Sequence, residues 1–110
     1  MDSILTSIKK LLGITEEYEH FDPDIIMHIN SAFMILNQLG VGPEEGFSIK
    51  DKSSTWNEFL SGGANLEAVK TYVYLKVKLM FDPPLSSTVI EAIKSQISEL
   101  EWRLNVSTDV

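Results

Sequence analysis

Cysteine is absent from this chain. That excludes disulfides, thiolate zinc sites and a cysteine nucleophile, and it leaves the redox compartment open. Arginine is almost absent: Arg103 is the only one among nine basic residues, against 16 acidic residues, for a net charge of −7. Holding DNA by charge neutralisation needs clustered Lys and Arg, so the composition disfavours a DNA reader. No apolar run approaches the roughly 20 residues that cross a bilayer. In "MDSILTSIKKLLGI" the lysines follow the apolar residues, which reverses the order of a signal peptide. The expectation is a soluble chain, cytoplasmic by default, with no membrane partner. Proline is scarce, and two of the four prolines, Pro83 and Pro84, are adjacent.

What is present is apolar and helix-forming. Hydrophobic residues make up 44% of 110 residues, enough for one domain with a core and too short for two ordinary ones. A domain this small buries only about two-thirds of the surface its unfolded chain exposes, so it has reason to lean on partners.

Along the chain, Ile4, Leu5, Ile8, Leu11 and Leu12 fall at helical spacing before Gly13, with Asp2 or Ser3 as cap. A dense acidic turn, "TEEYEHFDPD", follows. Asp22 before Pro23 reads as an N-cap and first helical residue. The next helix runs to Gly40 with Ile25, Ile29, Phe33, Leu36 and Leu39 as its stripe, widened by Ile26 and Met34. Residues 41–64 are turn-rich and polar. Inside them Thr55 and Glu58 form a capping box for one helical turn that turns Trp56, Phe59 and Leu60 inward, and "GFSIK" reads as a short extended piece. Asn65 is the expected cap of "LEAVKTYVYLKVKLMF", whose two apolar faces mark a central helix. The last helix carries Leu85, Val89, Ile93, Ile97, Leu100 and Leu104 in a nearly coiled-coil seam, with Thr88 and Glu91 as its expected capping box. These segments give an all-α fold: a single domain over 1–110, four to five helices in a small bundle, a long loop between the second and third main segments, an N-terminal helix within 1–13 and a frayed tail over 105–110.

The junction "MFDPPL" is abrupt. Asp82, Pro83 and Pro84 form a corner, because each proline fixes φ near −65°, supplies no N–H and disfavours helix at the residue before it. Its plain reading is a tight helix–helix connection. The sharper one is a device that aims the last helix at a partner.

Signals for chemistry are missing. His20 and His28 lie among acids with neither EF-hand spacing nor a histidine pair on one helical face, so the acids read as a solvated turn and His28 as a boundary residue. No G-x-S-x-G elbow occurs. "SGGAN" lacks the Lys-Ser/Thr of a phosphate loop, and Glu44–Glu45 are adjacent surface acids rather than a spaced catalytic pair. No enzyme, cofactor or metal is expected. The corner has the shape of a helix-turn-helix but few polar contacts near it, namely Ser86, Ser87, Thr88, Lys94 and Gln96. A small DNA-binding regulator and a generic helical interaction module remain as alternatives.

The order of segments resembles the head–tail connector (adaptor) proteins of tailed bacteriophages and prophages. The phrases that carry the resemblance are "DIIMHINSAFMILNQLGVGP", "LEAVKTYVYLKVKLMFDPP" and "SQISELEWRLN", within residues 20–104. "ILTSIKKLLGI" is not matched to that pattern, and either completes the bundle or packs on a neighbouring copy. The resemblance implies a non-enzymatic virion subunit at the head–tail junction. Its copies would assemble in the host cytoplasm as a ring beneath the portal, extend the DNA channel and dock head-completion or tail proteins, and DNA would pass without sequence-specific binding. An acidic conduit would let DNA slide, with Lys76 and Lys78 kept out of the channel. Trp56, Phe59 and Trp102 are named as interface anchors because aromatic residues dominate interface energetics, with core burial as the alternative for each.

Overall fold

The computed structural model describes residues 3–60 and 65–107. Among them are five helices: α1 (Ile4–Leu11), α2 (Asp22–Gln38), α3 (Trp56–Phe59), α4 (Leu66–Phe81) and α5 (Ser87–Ser107). The one extended pairing among the described residues is an isolated bridge between Ser3 and Thr55. The fold is the expected all-α bundle.

Caps and glycines set the first two helices. Ser3 caps α1 by accepting a hydrogen bond from the Thr6 N–H, while Asp2 lies outside the described residues. Both α1 and α2 close on a left-handed glycine, Gly13 at φ +83° and Gly40 at φ +86°. In each, the following amide reaches back to the last turn, Ile14 N–H to the Lys9 carbonyl and Val41 N–H to the Leu36 carbonyl, both at 2.9 Å. This is the Schellman closure, and at α2 it brings Val41 into the core beside Leu36.

α4 is the centre. It packs on α2 on one side and α5 on the other, and Val69, Tyr72, Val73, Leu75 and Val77 are buried. Phe21, at the start of α2, stacks edge-on against Phe81, the last residue of α4, at 5.2 Å between centroids, so these helices run antiparallel. α1 covers the α2–α4 pair with Ile4, Leu5 and Ile8. It is tied to α3 by Trp56 Nε1–H donating to Ser7 Oγ at 2.8 Å. "ILTSIKKLLGI" therefore completes this chain's own bundle.

The long loop is anchored rather than free. Asn30 Nδ2–H donates to the Ile49 carbonyl at 3.0 Å, and Ile49 N–H donates to Asn30 Oδ1 at 2.8 Å. This two-way bond satisfies an extended backbone as a neighbouring strand would and lets Ile49 enter the core. The turn at α3 keeps the expected capping box of Thr55 and Glu58, with Glu58 accepting from the Thr55 N–H at 2.8 Å. Ser61–Ala64, most of "SGGAN", lie outside the described residues.

Four local expectations are corrected. Asp22 is the first residue of α2, not its cap, because its carboxylate is drawn to Lys9. Met34 is 60% exposed, since it falls on the outer side of α2 with Met27, seven residues earlier. Thr88 does not cap α5; Ser86 does, accepting from the Val89 N–H at 3.3 Å. Residues 105–107 are helical rather than frayed, and Asn105 Nδ2–H donates to the Leu39 carbonyl at 3.3 Å, tying the end of α5 to the end of α2.

Candidate interaction surfaces

Two of the three aromatic anchors turn out to be core. Trp56 is 2% and Phe59 4% exposed. Phe59 lies 4.6 Å from Phe33 and 5.3 Å from Phe47, centroid to centroid, and Trp56 is held by Ser7 and flanked by Phe33. The capping turn that presents them aims them inward, so their role as surface anchors is withdrawn. Trp102 differs: it is 65% exposed. On the same stretch of α5 Arg103 and Glu99 pair at 2.8 Å, and Val106 one turn on from Trp102 is exposed too.

α5 is the least covered helix. Ile97 and Leu104 are buried against α4, and Ile93 and Leu100 are partly covered. One buried polar link adds to the seam, the Tyr72 hydroxyl donating to Glu101 Oε2 at 2.7 Å. Burial, then the bonded and negatively charged Glu101 beside it, hold the Tyr72 phenol above its ordinary value. Toward the corner the seam runs out of cover, with Leu85 wholly and Val89 nearly half exposed. The sequence pattern that marks both as interior is right in period, but the described residues leave Leu85 uncovered and Val89 only partly covered.

The corner itself has an open rim. Asp82 ends α4 as its C-cap and is bridged by Lys78 Nζ at 3.0 Å, and Asp82 and Pro83 are exposed. Next to it lies the acidic turn. Tyr18 contacts Phe21 at 5.8 Å and Phe21 contacts Phe81, so the turn and the corner share one end of the molecule.

Lys9 is the residue that sequence reading missed. It is 2% exposed, with Nζ 2.8 Å from Asp22 Oδ1 and donating to the Glu16 carbonyl at 3.0 Å. Asp22 Oδ1 is buried, and among the described residues its polar contact is the Lys9 ammonium at 2.8 Å. The apolar period of α1 treats Lys9 as an outer position, and nothing local signals that the chain folds back over it. A cleft of about 390 Å³ opens beside this pair, with Glu16, Glu19, Lys50 and Lys52 on its walls. Among the described residues no cluster of His, Asp and Glu has the makings of a metal site, and no helix is long and apolar enough to cross a membrane.

The chain is thus a small helical bundle with a packed core and a terminal helix that its neighbours cover only in part. The family model described as "Phage connector protein" matches residues 4–110, and the chain belongs to that family: it is a phage connector protein. The match takes in α1, which the resemblance had left out. No curated protein and no solved structure matches the chain.

Proposed function

We propose that this protein is a structural subunit of the head–tail connector of a tailed phage or prophage, and that its copies assemble as a ring beneath the portal. The ring extends the DNA channel and offers a surface to head-completion or tail proteins. The family match over residues 4–110 carries this reading. Two physical features support it. α5 keeps apolar residues in water, Trp102 foremost, which is the mark of a contact surface. Closed rings arise from heterologous contacts, and Trp102 with Val106 leaves an apolar patch in the last turns of α5 that can meet a different face of the next copy. The subunit works in the virion at the head–tail junction after assembly in the host cytoplasm. It acts by position and not by catalysis.

The net charge of −7 suits a conduit that DNA passes without sticking. Lys78 is engaged by Asp82, which agrees with keeping cations out of the channel. The experiment is light scattering over a concentration series, with negative-stain images of any large species, alone and with the portal. A closed ring in either setting supports the proposal. A monomer that fails to bind the portal overturns it, and strongly salt-dependent DNA binding would favour the small-regulator reading.

A further inference from the structure

The end of the molecule that holds the corner combines two properties. Apolar side chains stand in water there: Tyr18, Met80, Leu85 and Val89 are all exposed, around the half-buried Phe21 and Phe81. The same end is acidic. Residues 15–24 hold Glu16, Glu17, Glu19, Asp22 and Asp24 and no lysine or arginine. Asp22 is taken by Lys9 and Asp82 by Lys78. Lys50 and Lys52 stand across the cleft from Glu16 and Glu19, but Glu17, Glu19 and Asp24 have no ion pair with any described residue.

We infer that this end docks a basic, apolar segment of a different protein, an amphipathic stretch that lays its apolar side on Leu85, Val89 and Met80 and its lysines or arginines against the acidic turn. Charge complementarity selects that occupant. A second copy of this chain, itself at −7, brings more acid to an acidic rim, and like charges face to face oppose contact. The uncovered start of the α5 seam supplies the apolar half of the site: the period of "LSSTVIEAI" calls for cover that α4 stops short of giving. A partner helix seated there would continue the seam beyond the corner, read at i, i+3 and i+4. The inference gives a surface to the partner docking in the connector reading and rests on it.

The test uses the whole isotope-labelled protein and a synthetic amphipathic helix of Leu and Lys, with a Leu–Glu helix of the same apolar pattern as control. The expected result is amide shifts centred on Tyr18, Met80, Leu85 and Val89, and affinity reduced roughly tenfold by Leu85→Ser, the scale of losing one buried leucine. A Glu17→Lys, Glu19→Lys double variant weakens binding of the Leu–Lys helix and admits the Leu–Glu one. All these positions are exposed, so the variants keep the fold, which their spectra check. Shifts spread over Glu44, Glu45 and other acids without a centre at the corner would overturn the inference, as would equal binding of both helices. Shifts of the same residues on raising protein concentration alone would assign this end to a second copy, and also overturn it. Failure of the connector reading would appear separately, as absence of the protein from virions, whatever the peptides do.

Discussion

At position 42 a side chain is forbidden twice over. Gly42 sits at φ +89°, a region that costs other residues roughly 1–2 kcal/mol. A Cβ there would also collide with the ring of Phe59, which is already wedged among Phe33 and Phe47. Gly13 and Gly46 share the backbone sign but face open space. Gly42→Ala is therefore expected to cost about 1–3 kcal/mol more than Gly13→Ala or Gly46→Ala, read from urea midpoints at constant slope. Equal costs would mean that Phe59 yields freely. Tyr72 makes a second residue-scale case, because its phenol is held above the ordinary value by burial and by Glu101. Below about pH 10 both folded and unfolded chains keep the proton, and the contribution is intact. Above that, the unfolded chain releases a proton that the folded one retains, so stability falls as pH rises toward the folded value. Tyr72→Phe should flatten this alkaline decline. At neutral pH it should cost about 1.5–3 kcal/mol for the lost bond to a charged acceptor. An unchanged alkaline slope in the variant would trace the decline to other groups.

At the scale of elements, sequence and structure agree where the apolar period is long. α2, α4 and α5 are set by stripes that repeat over several turns, although the start of the α5 stripe, Leu85 and Val89, stays exposed because no described segment reaches it. Agreement ends where a residue's fate depends on a distant segment. Lys9 is buried because the acidic turn returns over it, and Asp22 serves as ion partner rather than cap for the same reason. Met34 looks apolar enough for the core but falls on the wrong side of α2. Trp56 and Phe59 could not be sorted between core and interface from composition, since aromatics serve both. Their inward aim follows from a turn whose docking is fixed by Ser7, 49 residues before Trp56. The extended piece at Ile49 was legible as a shape, but its anchor Asn30 was not, because an amide on a helix face looks like any surface residue. Asn30→Ala would leave the Ile49 amide and carbonyl short of partners. We expect a loss of about 2 kcal/mol and faster hydrogen exchange at Ile49, with α4 amides protected as before. The corner gives the complementary test. Pro83 and Pro84 hold the angle between α4 and α5 but add little to the core. Pro83→Ala with Pro84→Ala is expected to weaken self-association and portal binding more than it lowers the melting temperature. A large thermal loss with normal assembly would make the corner a folding device only.

The whole molecule is flat, 40 × 35 × 20 Å, and the short dimension is that of two helices side by side. A slab this thin cannot enclose every face of its helices, which is why α5 lies half in water with Trp102 uncovered. Copies that meet through such faces must also bring together −7 charges each. Two opposing terms then fix how assembly responds to salt. Apolar contact at Trp102 changes little with ionic strength, whereas repulsion between copies weakens as the Debye length shrinks from about 30 Å at 0.01 M to about 8 Å at 0.15 M. Self-association should therefore tighten over that range, by several-fold in the dissociation constant measured by sedimentation. Trp102→Ala should abolish most of it at every salt concentration while leaving the monomer's melting temperature within a degree or two, because Trp102 contributes little to the core. Contacts held by ion pairs between copies would show the reverse salt dependence, as would any association that runs through nucleic acid. The direction of the salt effect thus separates an apolar contact built on α5 from both of those alternatives before any image of an assembly is taken.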